Sequence, residues 1–220
     1  MIMNRIKISD VTMKQAARGL SLSFKEKIEL AKLLDKLDVS VIELEGIRNS
    51  KIDSLRVKSI ASAVQNAVLA VPVQLDGHSV EETWNALRFA KHPRLQVCAP
   101  VSSVQMEYLY HKKPGAMLEA VCDTIEACKA VCVDVEFVVD DATRSDPAFL
   151  AQILAAAAEK GANTITVCDG KISFSDSDCP GQDCVHSGSI GSTGRSLVCL
   201  PNAVEIRVVS GESDVDFVVG

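Results

Sequence analysis

Lys14, Glu43, Asp140 and Asp169 each stand at the C-terminal end of a run that reads as a β-strand. One ammonium and three carboxylates so placed suit the binding of a divalent cation or a polar substrate, because they combine hard oxygen donors with one anion-binding charge. Such residues also cap helices or pair among themselves, so recurrence at successive strand ends carries the reading, not any single residue. Alternation adds neighbours. Ile6, Ile8, Asp10, Thr12 and Lys14 share a face of the first strand; Val39, Val41, Glu43 and Glu45 share one of the second; Asp134, Glu136, Val138 and Asp140 share one of the fifth. Asp141 and Arg144 are spaced for a local ion pair, and His78, His92 and His111 stand in loops or helix starts, where a lone histidine usually does no chemistry.

The chain has eight cysteines, and five of them draw a reading from their surroundings or spacing. Cys98, Cys132 and Cys168 lie inside apolar runs, where a reduced thiol is a small buried hydrophobe. Cys168, Cys179, Cys184 and His186 have some ligand character but no paired CxxC, a looser spacing than structural zinc sites show, and no metal is assigned to them.

The elements that must position these residues follow from hydrophobic period. Strands are expected around residues 5–12, 39–45, 68–74, 95–101, 133–139 and 164–168, separated by amphipathic helical stretches. That alternation is the signature of βαβ units and a parallel sheet. Ser23 with Glu26 forms a capping box ahead of Phe24, Ile28, Ala31 and Leu34 on one helix face, and Ser79 with Glu82 repeats the device. Asp146 and Pro147 open a further helix as cap and first-turn proline, and Gly161 closes it.

The pattern breaks at Gly170. Residues 171–196 are rich in Ser, Gly and Asp and lack helical period, so they read as a loop; SLVCL, AVEIRVV and DVDFVV then offer short strands in the manner of a meander. The expected fold is therefore α/β: a partial or modified (β/α) barrel of about six βα units over residues 1–170, then an irregular tail with short strands over 171–220. An open parallel sheet leaves an unpaired edge, which predicts a homo-oligomer or a companion chain. The net charge of -6 and the lack of clustered Lys and Arg exclude a nucleic-acid groove. No apolar stretch is long enough for a membrane span, and the N-terminus lacks a signal-peptide core, so the expectation is a cytoplasmic protein without membrane contact.

Five segments, in order, resemble one family. DVTMKQAARG at 10–19 is similar to the DTTLRDGEQ motif of the barrels that include isopropylmalate synthase, homocitrate synthase and hydroxymethylglutaryl-CoA lyase. VIELEG looks like the second-strand IE motif, VSSVQMEYL like the TSxxHM stretch after strand four, VEFVVDDATRSD like VEFSPEDAGRTD, and ITVCDG like the start of the sixth-strand DTVG. The resemblance covers about residues 1–170.

It implies a transferase that joins the acetyl group of acetyl-CoA to the carbonyl of a 2-oxo acid, or an aldol-type lyase. Lys14 falls where the family has an arginine that stabilises enolate charge, and keeps the charge without the planar fork. Gln15 replaces the metal-binding aspartate, Gln105 a histidine, Asp140 a glutamate and Gly170 a threonine. The resemblance implies a divalent metal, yet no His-x-His pair occurs in the chain, so the ligands of that metal are largely absent. On this reading Lys14, Glu43 and Asp140 are catalytic. Asp10, Thr12, Gln15, Ser102, Gln105, Glu136, Arg144 and Asp169 line or support a pocket for a small-molecule substrate, a 2-oxo acid with an acyl-CoA. A Schiff base on Lys14 is disfavoured by the surrounding carboxylates. The alternative is a non-catalytic barrel, truncated or out of frame after Gly170, that binds a ligand or serves as a partner subunit.

Overall fold

The computed structural model describes residues 7–14, 22–48, 50–76, 79–168, 180–181, 183–187, 190, 196–199 and 204–209. Strands and helices alternate through the first three-quarters of the chain: β1 (Ser9–Asp10), α1 (Phe24–Lys36), β2 (Val41–Glu43), α2 (Ser50–Ala63), β3 (Val68–Val73), α3 (Ser79–Leu87) and β4 (Pro93–Pro100). The crossover after β4 holds two helices, α4 (Ser103–Tyr110) and α5 (Pro114–Val131), and β5 (Val135–Asp140), α6 (Pro147–Glu159) and β6 (Thr164–Cys168) follow. The expected strands are all present, some of them shorter than the apolar runs that announced them.

The chain divides into two compact units, one of residues 1–97 with 123–135 and the other of residues 98–122 with 136–220. In the first, β1, β2, β3 and β4 pair in sequence order and in parallel, Ser9 opposite Val41, Val41 opposite Val68 and Leu69 opposite Pro93. Also in this unit, Leu95 N–H donates to the Asp134 carbonyl at 3.2 Å. In the second, Val101 N–H donates to the Asp140 carbonyl at 3.1 Å, and β5 pairs in parallel with β6. The fold class is α/β, with the successive parallel βα units of a partial (β/α) barrel.

Parallel strands are covered on both faces, and the burial shows it: Val41, Ile42 and Leu44 are all buried in or beside β2, as are Leu69, Ala70 and Val71 in β3. Helix faces follow the sequence less closely. Ser23 makes the expected capping box with Glu26, and Ala31 and Leu34 are buried, but Phe24, at the head of the expected apolar stripe, is 39% exposed because it sits in the first turn. Ser79 is the first residue of α3 rather than its cap; its hydroxyl accepts from Gln74 N–H at 2.8 Å. Asp146 caps α6 through Phe149 N–H at 2.9 Å, with Pro147 in the first turn and Gly161 at φ 99° just past the end.

Within the second unit the described part of the tail supplies α7 (Asp183–His186), β7 (Ser196–Cys199) and β8 (Val204–Val209). β7 and β8 are antiparallel neighbours, as a meander requires. β8 also lies parallel to β6, Thr164 opposite Glu205 through Cys168 opposite Val209, so a tail strand takes the place beside β6. The DVDFVV run lies outside the described residues.

Candidate active site

The first unit brings together residues from three strands or their ends. Asp10 closes β1 and builds the turn after it: Oδ1 accepts from Thr12 N–H and Oδ2 from the Thr12 hydroxyl, each at 3.1 Å. Met13 is buried and anchors the turn, and Lys14 N–H closes it on the Val11 carbonyl at 2.9 Å. Asp10 and Thr12 thus satisfy one another and set the path of the backbone into Lys14.

From that turn the Lys14 ammonium donates to Glu43 Oε2 at 2.8 Å and to Gln96 Oε1 at 3.1 Å. Gln96 Nε2 donates to the same Glu43 oxygen at 3.0 Å, and the Ser9 hydroxyl donates to Glu43 Oε1 at 2.7 Å. Glu43 ends β2, and its side chain is only 14% exposed. Burial pushes its carboxyl up, but the Lys14 ammonium with its hydrogen bond, then the Ser9 and Gln96 donors, outweigh burial and hold it below the usual carboxylate range. The result is an ionised carboxylate with a cation fixed against it. Three residues on, Gly46 lets β2 leave beside β3, since a Cβ there would stand 3.1 Å from the Pro72 carbonyl oxygen. Just before Gly46, Glu45 receives Lys27 at 3.0 Å and Arg56 at 3.2 Å, and its side chain is more exposed than that of Glu43.

The second unit holds a different cluster. Ser102 is wholly buried, caps α4 by accepting from Gln105 N–H at 3.3 Å, and donates its hydroxyl to Asp141. Arg144 reaches the same carboxylate through Nε at 2.7 Å and a terminal nitrogen at 2.6 Å, as their spacing suggested. Burial pushes the Asp141 carboxyl up, and Arg144 and Ser102 together bring it below its ordinary value. Asp141 itself sits at φ 58°. Ser102 and Arg144 are therefore spent on a loop contact, and Gln105 contributes its backbone N–H to the cap.

Glu136 is buried in β5 and accepts from the Thr166 hydroxyl at 2.5 Å. Asp140 is half-buried at the end of β5; burial first, then Cys98 and Asp140, raise the Tyr110 hydroxyl above its usual pKa. Gln15 and Asp169 lie outside the described residues. Of the loose cysteine and histidine group only the His186 side chain is described, and it is exposed. Cys132 is buried as expected, Cys98 is half-buried, and burial, with Cys132 beside it, pushes the Cys128 thiol up to about 12, so that thiol is inert at neutral pH.

Gln96 and Ser9 escaped the sequence reading. Gln96 had a signal: with Arg94 it is a polar residue at alternate positions of an otherwise apolar run, PRLQVCAP. Ser9 had none, because its role depends on which strand lies opposite.

The donor chemistry around Lys14 does not fit the divalent ion that the family resemblance implies. Both Glu43 oxygens receive protein donors, an ammonium occupies the cation position, and both Asp10 oxygens serve Thr12. Among the described residues no group of three or more His, Cys, Asp or Glu side chains converges as a ligand set.

Fold and site define a protein of the parallel (β/α)-barrel class, with charged residues gathered at strand C-termini. The HMGL-like family model matches residues 5–171, and the chain belongs to that family. Curated relatives include the 2-isopropylmalate synthases of Clostridium kluyveri and Pelotomaculum thermopropionicum. Each is 32% identical over 167 residues, which is 75% of this chain and 32% and 33% of those enzymes. The enzyme of the same name from Halalkalibacterium halodurans is 33% identical over 172 residues, 76% of this chain and 33% of that protein. The chain thus spans about a third of the length of these relatives. A second model, NusG domain II, matches residues 150–212, a stretch that runs from α6 through β8. Among the described residues no helix is long and apolar enough to cross a membrane.

Proposed function

We propose that the chain is a divergent relative of the acyl-CoA-dependent 2-oxo acid acyltransferases, with Lys14 as its anion-binding group. The observation that carries this is the Lys14 ammonium held at 2.8 Å on the Glu43 carboxylate, at the strand ends where barrel enzymes work. In the reaction a base removes a methyl proton from the acyl thioester, and the resulting enolate carbon attacks the carbonyl carbon of the 2-oxo acid. The carbonyl π electrons move onto oxygen, where negative charge develops. Lys14 meets that oxygen. Glu43, ionised at neutral pH, holds the cation in place. The adjacent carboxylate favours the ammonium over the free amine, which disfavours a Schiff base on Lys14. Glu43 and the loop after β3, both in the first unit, set the choice of 2-oxo acid.

Calorimetry with pyruvate, with and without acetyl-CoA and a divalent metal, tests this reading. Binding to the native chain and its loss in Lys14→Met support it; binding indifferent to Lys14, or absent from the native chain, overturns it.

A second reading is favoured by the Glu43 carboxylate, whose oxygens already receive Ser9, Gln96 and Lys14: a site so filled suits a non-catalytic or partner subunit that works in a homo-oligomer or with a companion chain. Light scattering on the purified protein, with CoA-ester turnover measured on the same sample, separates the two.

A further inference from the structure

The geometry points to Gln96 as the positioning residue of the Lys14–Glu43 pair, a buried amide that fixes where the ammonium sits without itself meeting a ligand. Gln96 lies wholly buried in the middle of β4. Both ends of its amide are spent on the pair: Oε1 accepts from Lys14 at 3.1 Å, and Nε2 donates to Glu43 Oε2 at 3.0 Å. With the 2.8 Å contact between Lys14 and Glu43 these bonds close a ring of three side chains drawn from the turn after β1, the end of β2 and the core of β4.

Only one orientation of the amide serves. Flipped, its NH2 would face the ammonium and its carbonyl oxygen the carboxylate, turning two attractive contacts into two repulsive ones. The charges therefore orient the amide, and the amide in turn defines the position of the ammonium.

That definition matters because of what lysine lacks. An ammonium is a point charge on a four-carbon stem that can swing around a single carboxylate oxygen, whereas a guanidinium fork is held in two places. The Gln96 carbonyl supplies a second fixed contact from a different strand, so the lysine gains a two-point hold. An apolar residue at 96 would remove that contact and leave the Glu43 pair without its support from β4. The hold itself is independent of the proposed acyl transfer; what the ammonium is positioned to meet rests on that reading.

The test reads Lys14 directly, by competitive trace acetylation at fixed pH followed by mass spectrometry of the peptide that carries it. In Gln96→Met the ammonium loses a neutral acceptor, and its labelling rate is expected to rise about tenfold, the factor equivalent to the weaker end of a hydrogen bond to a charged group. In Gln96→Glu it keeps the acceptor and gains a second negative charge, and labelling is expected to fall below the native rate. Opposite signs from two substitutions at one buried position are what a purely structural role would not give. Unchanged rates in both variants, or a rise in both, overturn the proposal. Should Gln96→Glu fail to fold, Gln96→Asn, too short to reach both partners, replaces it, and the criterion becomes a rise in Lys14 labelling with unchanged labelling of Lys27, which pairs with Glu45; an unchanged Lys14 rate, or an equal rise at Lys27, overturns the proposal. Pyruvate calorimetry on the same samples keeps the two readings apart: the expected labelling without native pyruvate binding sinks the acyl-transfer reading alone, and native binding with unchanged labelling sinks the positioning role alone.

Discussion

Two carboxylates, Glu43 and Asp141, each accept a cation and a hydroxyl, yet the two clusters differ in kind. The Glu43 side chain and its Lys14 partner are 14% and 24% exposed, and a wholly buried amide joins them. Asp141 is equally sheltered, but its Arg144 partner is 58% exposed and belongs to the same short loop, three residues on. In the first cluster the contacts span strands far apart in sequence, so the fold itself holds the charges. In the second only the Ser102 hydroxyl comes from far along the chain; the cation comes from one turn away, and water competes for it. A charge pair held across strands under cover marks a site; a charge pair within one turn and open to water fastens a loop.

The sharpest way to break this contrast is Lys14→Met, which leaves Glu43 sheltered without its cation. Stability measured by urea unfolding is expected to fall by about 2 kcal/mol, less than the loss of a wholly buried partner because both groups keep some contact with water. Acid unfolding sharpens it. The Glu43 carboxyl is depressed in the folded chain, so its contribution is fully present above the unfolded value near 4.5 and is lost as pH falls through the lower folded value. Native protein should therefore lose stability below that point more steeply than Glu43→Gln when unfolding midpoints are compared across the acid range. A comparable slope in both proteins would mean that the pair is more solvated than its geometry indicates.

In the second cluster Ser102→Ala removes an α4 cap together with the hydroxyl donated to Asp141 and is expected to cost about 1 kcal/mol in the same urea assay. Arg144→Ala should be the mildest change, leaving the unfolding midpoint at its native value. A fall as large as that of Ser102→Ala would mean that the arginine contact is better sheltered than its exposure indicates.

Much of the fold was legible because its signals are local. The Ser23–Glu26 box, the Asp146–Pro147 opening and Gly161 each act within a turn of backbone, and the strand runs keep their places because burial on both faces demands continuous apolar residues. Ser79 misled because a hydroxyl three residues before a glutamate fits a capping box whether it stands before the helix or inside it. The tail was legible in part: SLVCL and AVEIRVV form the antiparallel β7 and β8 of a meander, whereas the place of β8 beside β6 is set by what lies next to it rather than by residues 204–209 alone.

For the site, the sequence by itself determined the residue types, the strand ends they occupy and the family to which the first three-quarters of the chain belongs. It also determined that Arg144 lies within reach of Asp141, since three residues of backbone leave little choice. Only the tertiary structure decided that Lys14 meets Glu43 across 29 positions of chain and Gln96 across 82, and that Ser102 turns to Asp141 across 39. Pairings at such separations depend on strand order and register, which are settled by the summed burial of the whole sheet and are written in no single segment.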